Sequence, residues 1–169
     1  MTKVRVLPGR RVKRLTAECA AGDGPGRDAP VVERVGVHGR TITFRSRYSS
    51  IHACDGNPQA RAIYPPWCGG AAWTLRNGRV SDPRLDLCYD KRSRPVIGFG
   101  WINPVRHAKW IVVDQPGYRE VYPIAAGLPV RVSTGSGLGR LGSATFHIAQ
   151  YDARGVLLVR KEVVAAIAS

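Results

Sequence analysis

The stretch SATFHIAQYDARGVLLVRKEVVAAI, residues 143–167, decides the fold class. Every second residue of its first half is apolar: Ala144, Phe146 and Ile148. This two-residue period is typical of a strand with one buried face. Residues 152–155 (DARG) then favour a turn in which Gly155 takes a positive φ, and residues 156–167 form the return strand. The stretch therefore predicts an antiparallel hairpin.

The same period recurs along the chain. Residues 31–38 and 41–47 predict a second hairpin, with Arg45 and Arg47 on the polar face of its second strand. Asn77-Gly78 is a strong hairpin-turn signal. Further strands are predicted at 71–75, 80–89, 95–103, 110–114, 120–125 and 130–133. About eight to ten short strands with little helix predict an all-β fold, either an antiparallel, immunoglobulin-like β-sandwich or a partly open barrel.

The 169 residues are the length of one domain. We expect residues 1–30 to be a basic N-terminal arm or linker containing Gly and Pro, and residues 31–169 to be a single β domain. Residues 1–14 look like the basic start of an export signal, although no apolar stretch follows them. No apolar run is long enough for a transmembrane segment.

The net charge of +14, from 26 basic and 12 acidic residues, permits an anionic partner. The sequence leaves the partner open, with an anionic surface polymer or a protein as candidates. Nucleic acid is the less favoured one, because stacking aromatics are not clustered with the basic residues. The candidate polyanion-binding residues are Lys3, Arg5, Arg10, Arg11, Lys13, Arg14, Arg45 and Arg47.

Four cysteines, Cys19, Cys54, Cys68 and Cys88, suit two disulfides in an oxidising compartment. Of the three connectivities we favour one with a Cys54–Cys88 bond, because it closes the longer loop of the central region. Zinc held by the cysteines with His52 is the alternative. Zinc sites usually contain close ligand pairs, and the cysteine spacing lacks them, so no metal is predicted.

Residues 48–70 are predicted to be an irregular loop, which in a compact domain is functional or pinned down. Tyr64 and Trp67 in this loop, with Gly98 and Gly100 on a nearby strand, are candidate ligand-binding residues, and core packing is the alternative for Trp67 and the glycines. Residues 137–142 match G-x-G-x-x-G, but a strand follows where a dinucleotide site needs a helix. We therefore predict no cofactor and no catalytic residue. A hydrolase with its site in the 48–70 loop is an alternative.

One set of residues resembles uncharacterised secreted or surface-anchored domains of high-GC bacteria: Cys54, Cys68-Gly69-Gly70, Trp73, Asn77-Gly78, Asp82-Pro83 and Cys88. The closing hairpin, residues 145–164, resembles the last strands of immunoglobulin-like sandwiches. The resemblance implies an exported β domain. We expect a non-enzymatic binding or structural module of the cell envelope or extracellular space. The alternative is an intracellular nucleic-acid-binding β-barrel that uses the basic arm.

Overall fold

The computed structural model describes residues 1–17, 23–48, 50–56, 68–72, 77–81, 85–89, 95–134 and 143–166. Within these ranges the chain forms one helix and twelve strands. In chain order they are β1 Lys3–Pro8, α1 Gly9–Ala17, β2 Pro30–Val35, β3 Arg40–Arg45, β4 Ile51–Gly56, β5 Cys68–Ala72, β6 Asp86–Tyr89, β7 Pro95–Ile102, β8 Trp110–Gln115, β9 Tyr118–Pro123, β10 Val130–Ser133, β11 Ser143–Tyr151 and β12 Leu157–Ala166.

The strands form three antiparallel sheets. Their orders are β1-β2-β3-β4-β5, β10-β7-β6 and β12-β11-β8-β9. Among the described residues none of these sheets closes on itself, which confirms an all-β, sandwich-like fold and argues against a closed barrel. The single helix of the described ranges is too short and too polar to cross a membrane.

The two hairpins with the clearest sequence signals are confirmed. β2 pairs with β3, and β11 pairs with β12 from Ser143↔Ala166 to Tyr151↔Leu157. Gly155 and Gly78 have φ values of 80° and 75°, as their predicted turns require. These features depend on residues close together in the chain, which is why the sequence reveals them.

The prediction that the N-terminal segment is an arm or linker is wrong for residues 3–17. β1 pairs with β2 along its whole length, from Lys3↔Val35 to Pro8↔Pro30. α1 then buries Val12 in a cluster with Val31, Ile42, Phe44 and Cys54. The few apolar residues of this segment are enough to anchor it, because burial of one Val side chain stabilises by roughly 1.5–3 kcal/mol.

Two further predictions for the first sheet are also wrong. The 48–70 segment was expected to be irregular, yet it contains β4, which lies between β3 and β5. β3 was expected to have a solvated polar face, yet Thr41 and Thr43 are buried. The physical reason is that β3 is covered on both sides, by α1 on one face and by the β10-β7-β6 sheet on the other.

Three apolar clusters show how the layers pack. The first lies under α1. The second joins the five-stranded sheet to Trp101 of β7 and contains Ile51 and Ala53. The third lies between the β10-β7-β6 sheet and the four-stranded sheet, with Val132 and Phe146 among its members. The middle sheet is therefore covered on both faces, and polar side chains directed toward the first sheet are buried.

Candidate functional site

A groove of about 1010 Å³ lies where four chain connections meet. These connections are the turn at 77–79, the loop at 103–109 after β7, the turn at 124–129 after β9, and the hairpin turn at 152–154. A concave surface built from several connections on a sheet scaffold is a common location for a binding site.

Two amide side chains join the connections around this groove. Gln150 of β11 is fully buried, and its Oε1 accepts a hydrogen bond from the Val105 N–H at 2.8 Å while its Nε2 donates to the Asn103 carbonyl at 3.0 Å. The Asn103 side chain in turn bonds both backbone groups of Val80, at 2.7 and 2.8 Å. The Lys109 N–H donates to the Tyr151 carbonyl at 2.8 Å. Because these bonds join three connections, the groove is preorganised.

The backbone around the groove is strained. Among the described residues two non-glycine residues have a positive φ, His107 at 67° and Ala126 at 52°, and both line the groove. For residues with a Cβ this conformation costs about 1–2 kcal/mol. Such strain persists where the surrounding structure enforces it, and it concentrates at functional sites. The strain therefore points to the same location as the concavity.

The groove is cationic. Arg79, Lys109 and Arg154 line it together with His107, whereas Asp152 is the one carboxylate among its described lining residues. The Asp152 Oδ1 accepts backbone N–H groups from Arg154 at 2.8 Å and Val156 at 2.9 Å, and its Oδ2 lies 3.4 Å from the Arg154 Nε.

These backbone hydrogen bonds lower the pKa of Asp152. Its carboxylate therefore already accepts hydrogen bonds from the backbone of the turn. The remaining charge of the lining favours phosphate, sulfate or carboxylate groups as ligands.

The predicted polyanion-binding residues lie elsewhere. Lys3 and Arg5 are exposed on β1, and Arg10, Arg11 and Lys13 are exposed on α1. Arg10 forms an exposed ion pair with Asp28 at 3.0 Å. Arg47 is exposed, Arg45 is half-buried, and the side chain of Arg14 lies outside the described part. None of these residues lines the groove in the described structure.

The predicted glycine strip on β7 is covered by protein. Gly98 and Gly100 are buried, and a Cβ added at Gly100 would lie 3.2 Å from the Leu85 Cδ2. The Gly98 N–H donates to the Thr134 Oγ1 at 3.0 Å. Core packing therefore accounts for these glycines. The other candidate ligand-binding residues, Tyr64 and Trp67, lie outside the described residues, as does the 137–142 motif.

The two described cysteine side chains, Cys54 and Cys88, are buried and neither is free. Cys54 lies in the cluster under α1, whereas Cys88 packs with Ile97 and Phe99 in the middle sheet. The neighbour of Cys54, Asp55, faces that middle sheet, so Cys54 faces away from it. The layering therefore does not favour the predicted Cys54–Cys88 bond.

His52, the histidine considered for zinc, and two further histidines occupy separate places. His52 stacks on Phe44, with ring centroids 5.6 Å apart, and its Nε2 lies 2.9 Å from the Asp23 Oδ2. His107 lines the groove, and His147 is exposed on β11. Within the described ranges no three His, Cys, Asp or Glu side chains are placed to hold a metal ion.

A buried ionic cluster joins the first and middle sheets. The Arg131 guanidinium of β10 donates to Asp55 of β4 at 2.7 and 3.1 Å and also bonds Asp86 of β6. Its Cζ lies 4.6 Å from the centroid of the Trp101 ring. Burial raises the pKa of Asp55 to about 6, and Arg131 opposes that rise. This cluster was not predicted from the sequence, because an arginine between two valines looks like a solvated strand position.

A second buried network surrounds Glu120 of β9. Its carboxylate accepts hydrogen bonds from the Thr2 hydroxyl at 2.8 Å, the Val37 N–H at 3.2 Å and the Tyr122 hydroxyl at 2.8 Å, and it also bonds Tyr118. Burial, and then the Glu120 charge, raise the pKa of Tyr122. The network links the four-stranded sheet to one end of the β1–β2 pair, where Lys3 lies opposite Val35.

No protein-family model matches this chain, and no curated protein or solved structure matches it either. The resemblance to secreted domains and to the immunoglobulin-like hairpin therefore stays a prediction. The groove is therefore the candidate functional site of the described structure.

Proposed function

We propose that this chain is a non-enzymatic binding module of the cell envelope, and that its cationic groove holds a phosphodiester-bearing surface polymer. The observation that carries the proposal is the placement of Arg79, Lys109 and Arg154 around one preorganised groove. Asp152, the carboxylate of the described lining, is occupied by backbone N–H groups. A carboxylate in that role is poorly placed for acid–base chemistry, which favours binding over catalysis.

A polymer fits the arrangement of the cations. They come from three different connections, so a chain with repeated anions can be contacted at several points. Within the described residues, the side chains of Arg79 and Lys109 form no ion pair that would compete with a ligand. The net charge of +14 also attracts a polyanion over long range.

Two variants of equal charge test the groove. We expect Arg79→Gln/Lys109→Gln/Arg154→Gln to bind a fluorescein-labelled poly(glycerol phosphate) oligomer about tenfold to hundredfold more weakly, because three charge-assisted contacts are lost. Its affinity should also fall less steeply with salt, because fewer counterions are released. The matched control is Lys3→Gln/Arg5→Gln/Lys13→Gln on β1 and α1. Fluorescence anisotropy over a salt series measures both variants.

The control decides between outcomes. An equal loss in both variants would show that binding follows net charge alone, and the groove would not be the site. A larger loss in the control would move the site to the β1 and α1 surface. Tighter binding of an oligonucleotide of equal charge, lost in the groove variant, would favour the nucleic-acid-binding alternative instead.

We further propose that the cysteines are oxidised, as expected outside the cytoplasm. The layering favours Cys19–Cys54 and Cys68–Cys88. Cys19 follows the end of α1 by two residues, and α1 covers the cluster that contains Cys54. Cys68 occupies the register position opposite Asp55, the residue bonded to Arg131, and Arg131 also bonds Asp86 on the strand of Cys88.

Thiol titration of the denatured, unreduced protein is expected to find no free thiol. Peptide mapping should recover the Cys19–Cys54 and Cys68–Cys88 pairs. Reduction should lower the free energy of unfolding by about 2–5 kcal/mol. Four free thiols in protein from an oxidising compartment would contradict the envelope proposal, and a Cys54–Cys88 peptide would contradict the pairing alone.

A further inference from the structure

β12 is an exposed edge strand. It is the terminal strand of the β12-β11-β8-β9 sheet, and in the described residues its outer edge has no strand partner. Leu157 and Val164 are 46% and 58% exposed, and Leu158 is also exposed. A ten-residue edge strand with exposed apolar side chains is a template for pairing with another strand. Natural edges are normally shortened, bulged or protected by charge, and β12 carries three consecutive charges at its centre, at positions 160–162.

The charges of β12 are arranged symmetrically about Lys161. Arg160 and Glu162 flank it, then Val159 and Val163, then Leu158 and Val164. If a second copy pairs antiparallel with Lys161 on the two-fold axis, Arg160 of each copy lies opposite Glu162 of the other. Leu158 likewise lies opposite Val164, and Val159 opposite Val163. The ion pair and both apolar pairs thus occur twice, and directly opposed pairs of these kinds stabilise sheets. Lys161 meets Lys161 of the second copy once, at the axis, and because this side chain is exposed, one screened like-charge pair stands against two ion pairs.

The two faces of β12 support this register. Glu162 lies opposite the exposed His147 of β11, 3.6 Å from its Nδ1, and so belongs to the solvent face together with Arg160. On the other face, Val163 lies opposite Phe146 and packs against the cluster between the middle and four-stranded sheets. Pairing of Val163 with Val159 of a second copy would place one apolar pair on each side of the two Lys161 side chains, which share this face.

We propose that the β12 edge is the dimer interface of this protein, with a second copy of the chain as its occupant. The two four-stranded sheets would then form one continuous sheet about a two-fold axis, as an isologous interface requires. A second copy is favoured over an unrelated strand because Arg160 matches Glu162, Val159 matches Val163 and Leu158 matches Val164 in one register.

Charge reversal tests this register. Arg160→Glu alone and Glu162→Arg alone each place two like-charged pairs across the axis. Each should raise the dimer dissociation constant about tenfold to hundredfold, measured by sedimentation equilibrium. An equimolar mixture of the two variants should restore association, because positions 160 and 162 are both acidic in one variant and both basic in the other. The double variant Arg160→Glu/Glu162→Arg should self-associate like the wild type.

Arg119→Glu on β9, the other edge strand of the same sheet, is the control and should leave the dissociation constant unchanged. Circular dichroism and thermal unfolding verify that every variant is folded. A wild type that stays monomeric up to about 1 mM would overturn the proposal, since specific dimers associate well below that concentration. A dimer that survives both single reversals, or dissociates only with Arg119→Glu, would show that another surface is used.

Discussion

Replacing Arg131 by methionine is expected to lower the free energy of unfolding by about 3–5 kcal/mol. Arg131 and Asp55 are both fully buried, and the guanidinium donates to Asp55 at 2.7 Å. Loss of the guanidinium leaves a buried carboxylate without its cation, and removing one partner of a buried ion pair is far more costly than removing both. Contact with the Trp101 ring is lost as well. Urea unfolding followed by tryptophan fluorescence measures the change.

A double variant in the same test replaces both charges of the buried ion pair. Arg131→Met/Asp55→Leu should recover most of the lost stability, because Asp86 is 36% exposed and can be solvated without Arg131. Arg119→Met is the matched control. Both partners of its ion pair with Asp114 are exposed, so we expect the free energy of unfolding to change by about 0.5 kcal/mol or less. A loss below about 1 kcal/mol for Arg131→Met would show that the buried cluster does not hold the two sheets together.

Replacing Glu120 by alanine is expected to lower the free energy of unfolding by about 3 kcal/mol. The Glu120 carboxylate accepts buried hydrogen bonds from the Thr2 and Tyr122 hydroxyls and a part-buried one from the Val37 N–H. Without it, the Thr2 and Tyr122 hydroxyls lose a charged acceptor in a place that water reaches poorly. Thermal and urea unfolding measure the loss. Hydrogen exchange should show faster exchange at the Val37 amide.

A more conservative substitution and a surface control complete that test. Glu120→Gln keeps the shape but loses the charge, so its effect should lie between the wild type and Glu120→Ala. Asp28→Ala removes an exposed carboxylate, 75% accessible in its pair with Arg10, and should change the free energy of unfolding by less than about 1 kcal/mol. Equal losses for Glu120→Ala and Asp28→Ala would contradict the role of the buried network.

The strands were predictable wherever one face is buried and the other is wet. β11 shows this, since the buried Phe146 and Ile148 alternate with the exposed Thr145 and His147. Prediction failed where both faces are covered. β3 alternates in sequence, yet its threonines are buried, because the layer that covers them comes from residues more than fifty positions away.

The groove was missed for a related reason. Arg79, Lys109 and Arg154 are separated by 30 and 45 positions in the chain and share no motif. The left-handed backbone of His107 and Ala126 was also not predictable from the sequence, since neither residue is a glycine. Polyanion binding was predicted for the basic N-terminal segment because its charges are contiguous, although this segment forms β1 and α1 and packs on the first sheet.

The sequence by itself determined the all-β class, the hairpins and the glycine turns of this protein, because alternation and turn preference act over neighbouring residues. Only the tertiary structure decided which charges are buried and which converge. Arg131 lies between two valines in β10, as an exposed strand arginine would, and its partner Asp55 is 76 residues away. Whether a residue is buried depends on what packs against it. In this protein the residues that bury Arg131 come from strands that are far away in the chain.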